Sequence, residues 1–469
     1  MSNCPVQHHG MSKAKGCSHA QLGNFGKLFP KLNGLAVSEE QAAALGGPGS
    51  PMDDQDNSSG DSKIPAGYTF FAQFIDHDIT LDTTSDIESD PLSNRAIEAL
   101  PNLRTPTLDL DCVYGFGPEA NPHLYEGPTA PGRLLVGNSG NPNDLARSEN
   151  GTALIGDPRN DENIFVSQMQ LLFIRFHNKI YDSLVSSVSP ENRFEEAQEI
   201  TRHHYQYLVV NDLLARICDT KIFNFAMEKP GFPLIYKADK HHNLPMPVEF
   251  SVAAFRFGHT TVRSRYAVNS RHPEVDLFDE RFGTEGFTSL PTDLVVDWRF
   301  LLEVDKCIPP LFTKAFDIQF PSELINMPDN IVGRDASDNL RSLAFRNLLR
   351  GNALSLPSGQ SVVNALKAAG YPISTNFAAL KLDDVIPHCV SELVKATPLF
   401  FYLMQEAGTL GNGQKLGPAG SAILLEVIVG ALKHCGTSFL SNKSWKPLAC
   451  VAGRGGKFEL ADVVRYVQS

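Results

Sequence analysis

Apolar residues in this chain recur at three- and four-residue intervals over stretches long enough for several helical turns, and the connections between those stretches are long. Phe165, Met169, Leu172, Phe173, Phe176 and Ile180 lay one broad apolar stripe along a helix spanning about 163–188. Similar patterns cover 194–217, 360–369, 388–406 and 420–434, whereas runs alternating with period two are few. No Gly-rich strand-to-helix turn of the dinucleotide-binding kind occurs, and no unit repeats at a fixed period. The 36 Gly and 31 Pro are many for a simple bundle, so the expectation is a mainly α fold with helices joined by structured loops. The longest of these, 101–160 and 267–298, are of the kind that carries function.

Residues 1–62 hold little periodic apolar pattern and run through Gly46-Gly-Pro-Gly-Ser-Pro into Asp53-Asp-Gln-Asp-Asn-Ser-Ser-Gly-Asp, a composition that favours coil. They read as an irregular N-terminal arm, and 63–469 as a single helical domain. The 41 Lys+Arg against 53 Asp+Glu give a formal charge of -12, so there is no basic field for nucleic acid phosphates or an anionic membrane. No stretch approaches the roughly 18 to 20 apolar residues that cross a bilayer. The N-terminus lacks the charged start and apolar core of a secretory signal, so the expected location is cytoplasmic, or reached by an export route without such a signal. Eight cysteines lie far apart with no CxxC pair, which points to reduced thiols. Cys4, His8, His9, Cys17 and His19 could in principle hold zinc, but their spacing fits no common finger pattern.

Tyr68-Thr-Phe-Phe-Ala-Gln-Phe-Ile-Asp-His-Asp-Ile-Thr-Leu81 puts Phe70, Phe71, Phe74 and Ile75 on one helical face and Gln73, Asp76 and His77 on another. A histidine flanked by Asp76 and Asp78 in so apolar a helix is either a hydrogen-bonded core residue or a working one. Thr105-Pro-Thr-Leu-Asp-Leu-Asp111 offers oxygen at alternate positions, as a turn that bonds its own backbone does and as a cation loop does. Gly156-Asp-Pro-Arg-Asn-Asp-Glu162 reads equally as an acidic helix start with Arg159 on the surface. Farther on, Ala254-Phe-Arg-Phe-Gly-His-Thr260 sets a histidine in an apolar run, and Phe345-Arg-Asn-Leu-Leu-Arg-Gly351 follows nearly ninety residues later.

Taken in order, these five motifs resemble those of the animal-type haem peroxidases, the superfamily that includes the cyclooxygenases and fatty-acid dioxygenases, over roughly residues 60–365. The resemblance implies the helical fold of that family, with long structured loops, and two cofactors, haem b and Ca2+. It makes His77 the acid-base catalyst for hydrogen peroxide, Gln73 its neighbour beside bound peroxide or halide, and Arg159 the distal arginine. Asp76 and Glu162 become ester links to the haem, and Asn163 directly after Glu162 excludes the methionine sulfonium link of one branch. Asp78, Thr105, Thr107, Asp109 and Asp111 become the calcium ligands. His259 becomes the axial iron ligand, Arg256 and Arg350 the partners of haem propionates, and Asn347 the acceptor of the other His259 N–H, which increases the ligand's basicity. His177, on the long amphipathic helix, reads as structural.

Many animal members continue after the Asn-x-x-Arg element with Arg-Asp-His-Gly-Leu-Pro, whereas this chain reads Asn352-Ala-Leu-Ser-Leu-Pro-Ser-Gly-Gln360, which suggests a divergent, bacterial branch. The activity implied is haem-dependent reduction of hydrogen peroxide with oxidation of small organic donors or halides, in keeping with a response to oxidative stress. A fatty-acid dioxygenase of the same superfamily is the alternative, but that branch places a tyrosine three residues before the proximal histidine, where this chain has Arg256. A non-catalytic haem- and calcium-binding scaffold is the second alternative, and it has no use for Gln73, His77 and Arg159 together. The sequence leaves the reducing substrate, the halide preference and the oligomeric state open.

Overall fold

The computed structural model describes residues 23–239, 243–453 and 456–469. The candidate zinc residues Cys4, His8, His9, Cys17 and His19 lie outside the described residues. Helix makes up 45% and strand 7%, so the fold is mainly α, as the apolar spacing predicts.

Part of the stretch expected to be irregular is ordered. Helix α1 (Glu39–Gly46) starts in a reciprocal cap in which the Ser38 hydroxyl accepts from Gln41 N–H and the Gln41 side chain accepts from Ser38 N–H. Phe25, Leu28, Phe29, Ala42, Leu45 and Met52 are buried. The buried Glu249 carboxylate accepts the backbone N–H groups of Leu28 and Phe29, at 2.8 and 3.1 Å. The helix is short and mostly alanine on its buried side, so it leaves little periodic signal for its good helix formers to be read by.

Helix α2 (Gly67–Ile79) and helix α3 (Ile164–Ser183) form the centre of the molecule. Phe70 stacks on Phe165 at 4.4 Å between ring centroids and Phe74 on Phe173 at 4.9 Å. Helix α4 (Pro190–Leu208) completes this layer by setting Tyr205 edge-on to Phe71, Phe74 and Phe173, and then widens into a looser turn over Val209–Leu214. Truncating any of these buried rings to alanine costs about 3–5 kcal/mol.

A second layer holds helices α5 (Leu343–Ala353), α6 (Gly359–Ala368), α7 (Leu399–Thr409) and α8 (Pro418–His434). The continuous helix expected over 388–406 is broken, because Pro398 has no N–H to continue the ladder; a tight turn over His388–Val394 precedes it and α7 follows. Glu406 of α7 caps α8, accepting from Ala419 N–H at 2.9 Å and Gly420 N–H at 3.3 Å.

Small sheets fasten the segments that feed the central helices. Asp61–Pro65 pairs antiparallel with Phe312–Lys314 and leads straight into α2. Gly23–Gly26 lies between Pro101–Asn102 and Met246–Pro247. Among the described residues no helix is long and apolar enough to cross a membrane.

Candidate active site

Helix α2 ends in a cluster of polar side chains that reach across to the loop before α3. His77 is buried, with Nδ1 2.8 Å from Asn160 Oδ1 and Nε2 3.7 Å from Glu162 Oε1. Gln73, one turn earlier on α2, donates from Nε2 to the same Glu162 oxygen and accepts from Asn163 Nδ2 at 3.3 Å. Gln73, Asp76, Arg159 and Glu162 all keep part of their surface accessible, whereas His77, Asp157 and Asn160 beside them are buried. Asp76 Oδ1 accepts from the Thr80 hydroxyl at 3.1 Å.

Arg159 is held from two sides. Its Nη2 donates to the carbonyls of His77 (3.2 Å) and Thr80 (2.6 Å), and its Nε and Nη2 meet Asp157 Oδ1 and Oδ2 at 3.1 and 2.8 Å. Arg104 pairs with the same carboxylate and also donates to the His77 carbonyl, at 3.3 Å. Burial alone would raise the Asp157 pKa, but the hydrogen bonds and charge of Arg159, reinforced by Arg104, hold it below the usual carboxylate range.

The turn that carries Arg159 folds for local reasons. Asp157 accepts from Arg159 N–H, and Pro158 opens the tight turn Pro158–Asp161 with its fixed φ. Gly156 runs so close to the neighbouring loop that a Cβ there would sit 2.4 Å from the Asp111 carbonyl. Gly286, at φ +79°, presses in from the other side, where a Cβ would lie 2.2 Å from the Asp161 carbonyl. Arg104, Asp157 and Asn160 were not singled out in the sequence. Two of them lie inside the arginine motif, so the signal was present and only their partners were hidden.

Asp78, next to His77, turns away from that cluster into the 105–111 loop, where it accepts the N–H groups of Leu110 at 3.2 Å and Cys112 at 3.5 Å. The Thr105 hydroxyl donates to Asp109 and Asp111, at 3.0 and 3.1 Å, and the Thr107 hydroxyl to Asp109. Burial, with the charges of Asp111 and Asp109 added, pushes the Asp78 carboxyl up to about 8. Among the described residues no three His, Cys, Asp or Glu side chains are arranged as a metal site. The donors are nevertheless all hard oxygens, and the crowding of like charge is what a divalent cation relieves, so in chemistry the five residues fit calcium.

The second histidine stands on a tight turn, Ala254–His259, that touches α2: the hydroxyls of Thr69 and Thr261 are 2.9 Å apart. His77 lies eight residues beyond Thr69, about 12 Å along the helix. His259 Nδ1 is 2.9 Å from Asn347 Nδ2 of α5, the partner expected, but with the amide nitrogen facing the ring. The expected acceptor role needs the amide turned over; an iron on Nε2 would put the ring hydrogen on Nδ1 and so favour that orientation. Burial first, and the charge of Arg256 second, push the His259 imidazole down to about 3, so it stays neutral. A Cβ built on Gly258 would meet no atom within 4 Å beyond its own chain neighbours, so the turn is open at the residue before the imidazole. A neutral imidazole next to open space, with a guanidinium close by, fits a haem.

Arg350 departs from expectation. Its guanidinium is held by Asp82 at 2.6 Å and the Ser85 carbonyl at 3.1 Å, a carboxylate partner that the chain itself supplies. Among the described residues the Arg256 guanidinium donates to the Ser251 carbonyl, at 3.0 Å, and the residue keeps accessible surface. His177 is structural, as expected: it is buried, both ring nitrogens are engaged by Tyr114 Oη and the Gly132 carbonyl, and burial pushes it down to about 4.

The family model for animal haem peroxidase matches residues 93–296, a span that takes in the 105–111 loop, Arg159 and His259. Thyroid peroxidase of Sus scrofa is 26% identical over 284 residues, covering 54% of this chain and 29% of that protein. A peroxidase-like protein of Margaritifera margaritifera is 28% identical over 254 residues, covering 42% and 31%. The chain thus spans less than a third of the length of these curated relatives. Among solved structures, peroxidase A from Dictyostelium discoideum superimposes with a TM-score of 0.62 at 15% identity, over 96% of this chain and 93% of that one. Fatty acid alpha-dioxygenase of Oryza sativa gives 0.56 at 16% identity, over 96% and 85%. These likenesses stand beside the two histidine clusters: residues 93–296 match the animal haem peroxidase family model, and over most of its length the chain shares the fold of peroxidase A.

Proposed function

We propose that this chain is a haem-dependent peroxidase that reduces hydrogen peroxide and oxidises small organic donors or halides. The observation that carries the reading is the convergence of Gln73, His77 and Glu162, with Arg159 bonded to the His77 carbonyl. Haem, when bound, would supply the iron on which the peroxide O–O bond breaks. Residues of the chain would hold it: His259 through its imidazole with Asn347 hydrogen-bonded to the same ring, Arg256 as a charge partner for a propionate, and Asp76 and Glu162 as carboxylates available for ester links.

His77 would take the proton from one peroxide oxygen as a neutral imidazole and return it, from the imidazolium so formed, to the other oxygen. Gln73 fixes Glu162 and offers a hydrogen bond beside the peroxide. Arg159 contributes a permanent positive charge against the negative charge that develops as the bond breaks. Asp78, with Thr105, Thr107, Asp109 and Asp111, would bind calcium and so fix the end of α2 that aims His77.

The likeness to the rice dioxygenase favours a second reading, oxygenation of a fatty acid. Arg256 in place of a tyrosine three residues before His259 weighs against it. The test is the full chain loaded with haem b, given peroxide with bromide, iodide or a phenol, and separately given palmitic acid under oxygen. Peroxide-dependent oxidation without oxygen uptake supports the first reading, and oxygen uptake on palmitic acid alone would replace it. If His77→Ala matched the parent in its reaction with peroxide, the chain would be a scaffold.

A further inference from the structure

We infer that Asn160 and Gln170 are positioning residues that fix the tautomer of His77, so that its Nδ1 carries the hydrogen and its Nε2 is the free base. The inference rests on the peroxidase reading for its consequence but not for its geometry.

The argument starts from a group whose polarity cannot be reversed. The backbone carbonyl of Cys112 only accepts, and Gln170 reaches it at 3.0 Å, so the Gln170 amide must present Nε2 there. That orientation points Oε1 the other way, where Asn160 Nδ2 donates to it at 2.8 Å. With its NH2 group committed, Asn160 has only Oδ1 left for His77, and Oδ1 lies 2.8 Å from Nδ1. An amide oxygen accepts only, so Nδ1 must be protonated. In the neutral ring Nε2 then holds the lone pair, and Nε2 is the atom on the Gln73 and Glu162 side.

All members of the relay are sealed from solvent: Asn160, Gln170 and Cys112 are each 0% exposed and His77 is 5% exposed. No water competes to reverse a bond, and reversing one amide would set two donors or two acceptors face to face, first at Cys112 and then along the chain. The relay crosses four elements, from the turn after the 105–111 loop through α3 and the arginine turn to α2. The charged groups around the ring are Glu162 at Nε2, with Arg159 and Arg104 on its backbone carbonyl and Asp157 between those two arginines.

The catalytic consequence concerns the first proton transfer. A His77 with its hydrogen on Nε2 has nothing to accept a peroxide proton with, so losing the relay removes the base without removing the residue. Nothing at the sequence level marks Asn160 for this, since it sits between Arg159 and Glu162 and looks like a spacer.

The test labels histidine with 15N in the full-length chain and reads the His77 tautomer from ring proton–nitrogen couplings at neutral pH, with the signal assigned by its loss in His77→Gln. The parent is expected to show Nδ1–H alone. Asn160→Leu, which removes the acceptor, is expected to shift the ring to Nε2–H or a mixture. Asn160→Asp, which keeps an acceptor, is expected to retain Nδ1–H. With haem b loaded, Asn160→Leu should react with peroxide roughly 100-fold more slowly at unchanged haem content, and Asn160→Asp should recover most of that loss.

Nε2–H in the parent, or Nδ1–H unchanged in Asn160→Leu, overturns the inference, as does a parent-like peroxide rate in the loaded Asn160→Leu. Should Asn160→Leu fail to fold, Nε2–H in Asn160→Asp is the overturning result. The expected tautomers in a parent that does not react with peroxide would leave the relay standing and sink the peroxidase reading instead.

Discussion

The two histidine walls are built in opposite ways. Around His77 the polar contacts are many and shared: both ring nitrogens face named partners, Glu162 receives Gln73 as well, and two arginines divide one carboxylate. Among the described residues the His259 ring has a single hydrogen-bond partner, Asn347, and next to it stands a glycine that faces open space. In the peroxidase proposed above, the first wall would move a proton and the second would present a neutral nitrogen. The difference separates two measurable properties, reaction rate on one side and cofactor retention on the other.

The largest effect belongs to the second wall. His259→Ala is expected to leave no stably bound haem after gel filtration and to reduce peroxidase turnover to that of free haem. His77→Ala should retain haem at the parent level and react with peroxide about 100- to 10,000-fold more slowly, measured by stopped-flow absorbance. If His77→Ala lost its haem, or His259→Ala kept it, the division between the walls would be wrong. Asn347→Leu lies between them: by removing the hydrogen bond to the His259 ring it should weaken haem retention or activity about 10- to 100-fold, read from a haem-transfer assay to apomyoglobin.

Much of this was legible in the sequence because each histidine interrupts an apolar run whose period already defines a helix or a buried turn. Phe70, Phe71, Phe74 and Ile75 made α2 readable, and His77 then stood out as its polar exception. What stayed hidden were pairings across long separations in the chain. The diversion of Arg350 to Asp82 links residues 268 positions apart, and nothing in either local pattern announces it. Asn160 and Asp157 lie within the arginine motif, but their work depends on Gln170, Cys112 and Arg104, which only folding brings near. Helix α1 escaped because eight residues with alanines on the buried side carry little periodic contrast.

The support behind the His259 wall adds a pH dependence of its own. The Thr260 hydroxyl meets Met404 Sδ of α7 at 3.9 Å, and two residues on, Glu406 ties α7 to α8. Burial pushes the Glu406 carboxyl up to about 8, against the pull of the Ala419 and Gly420 N–H groups. A carboxyl raised in the folded state holds a proton there that the unfolded chain has released. Stability therefore falls as pH rises from the unfolded value of 4.5 through about 8, by roughly 1.4 kcal/mol per pH unit at most. Glu406→Gln keeps an oxygen for Ala419 and Gly420 but has nothing to titrate, so urea midpoints at pH 5 and pH 8 should lie closer together than in the parent. An equal decline in both proteins would remove Glu406 from the account.

The smallest effect tests whether the N-terminal segment supports that same wall. The Ser342 hydroxyl at the start of α5 donates to the Gly46 carbonyl at the end of α1, and five residues later α5 presents Asn347 to His259. Ser38→Ala removes one half of the reciprocal cap of α1 and should cost about 1 kcal/mol of stability by urea denaturation. Because the bond from Ser342 fixes the far end of α1, the loss should surface as faster haem release at elevated temperature, with the peroxide rate of the retained holoprotein unchanged. A change in that rate with haem release unaffected would mean α1 acts on the His77 wall, and the assignment of the two walls to rate and retention would have to be redrawn.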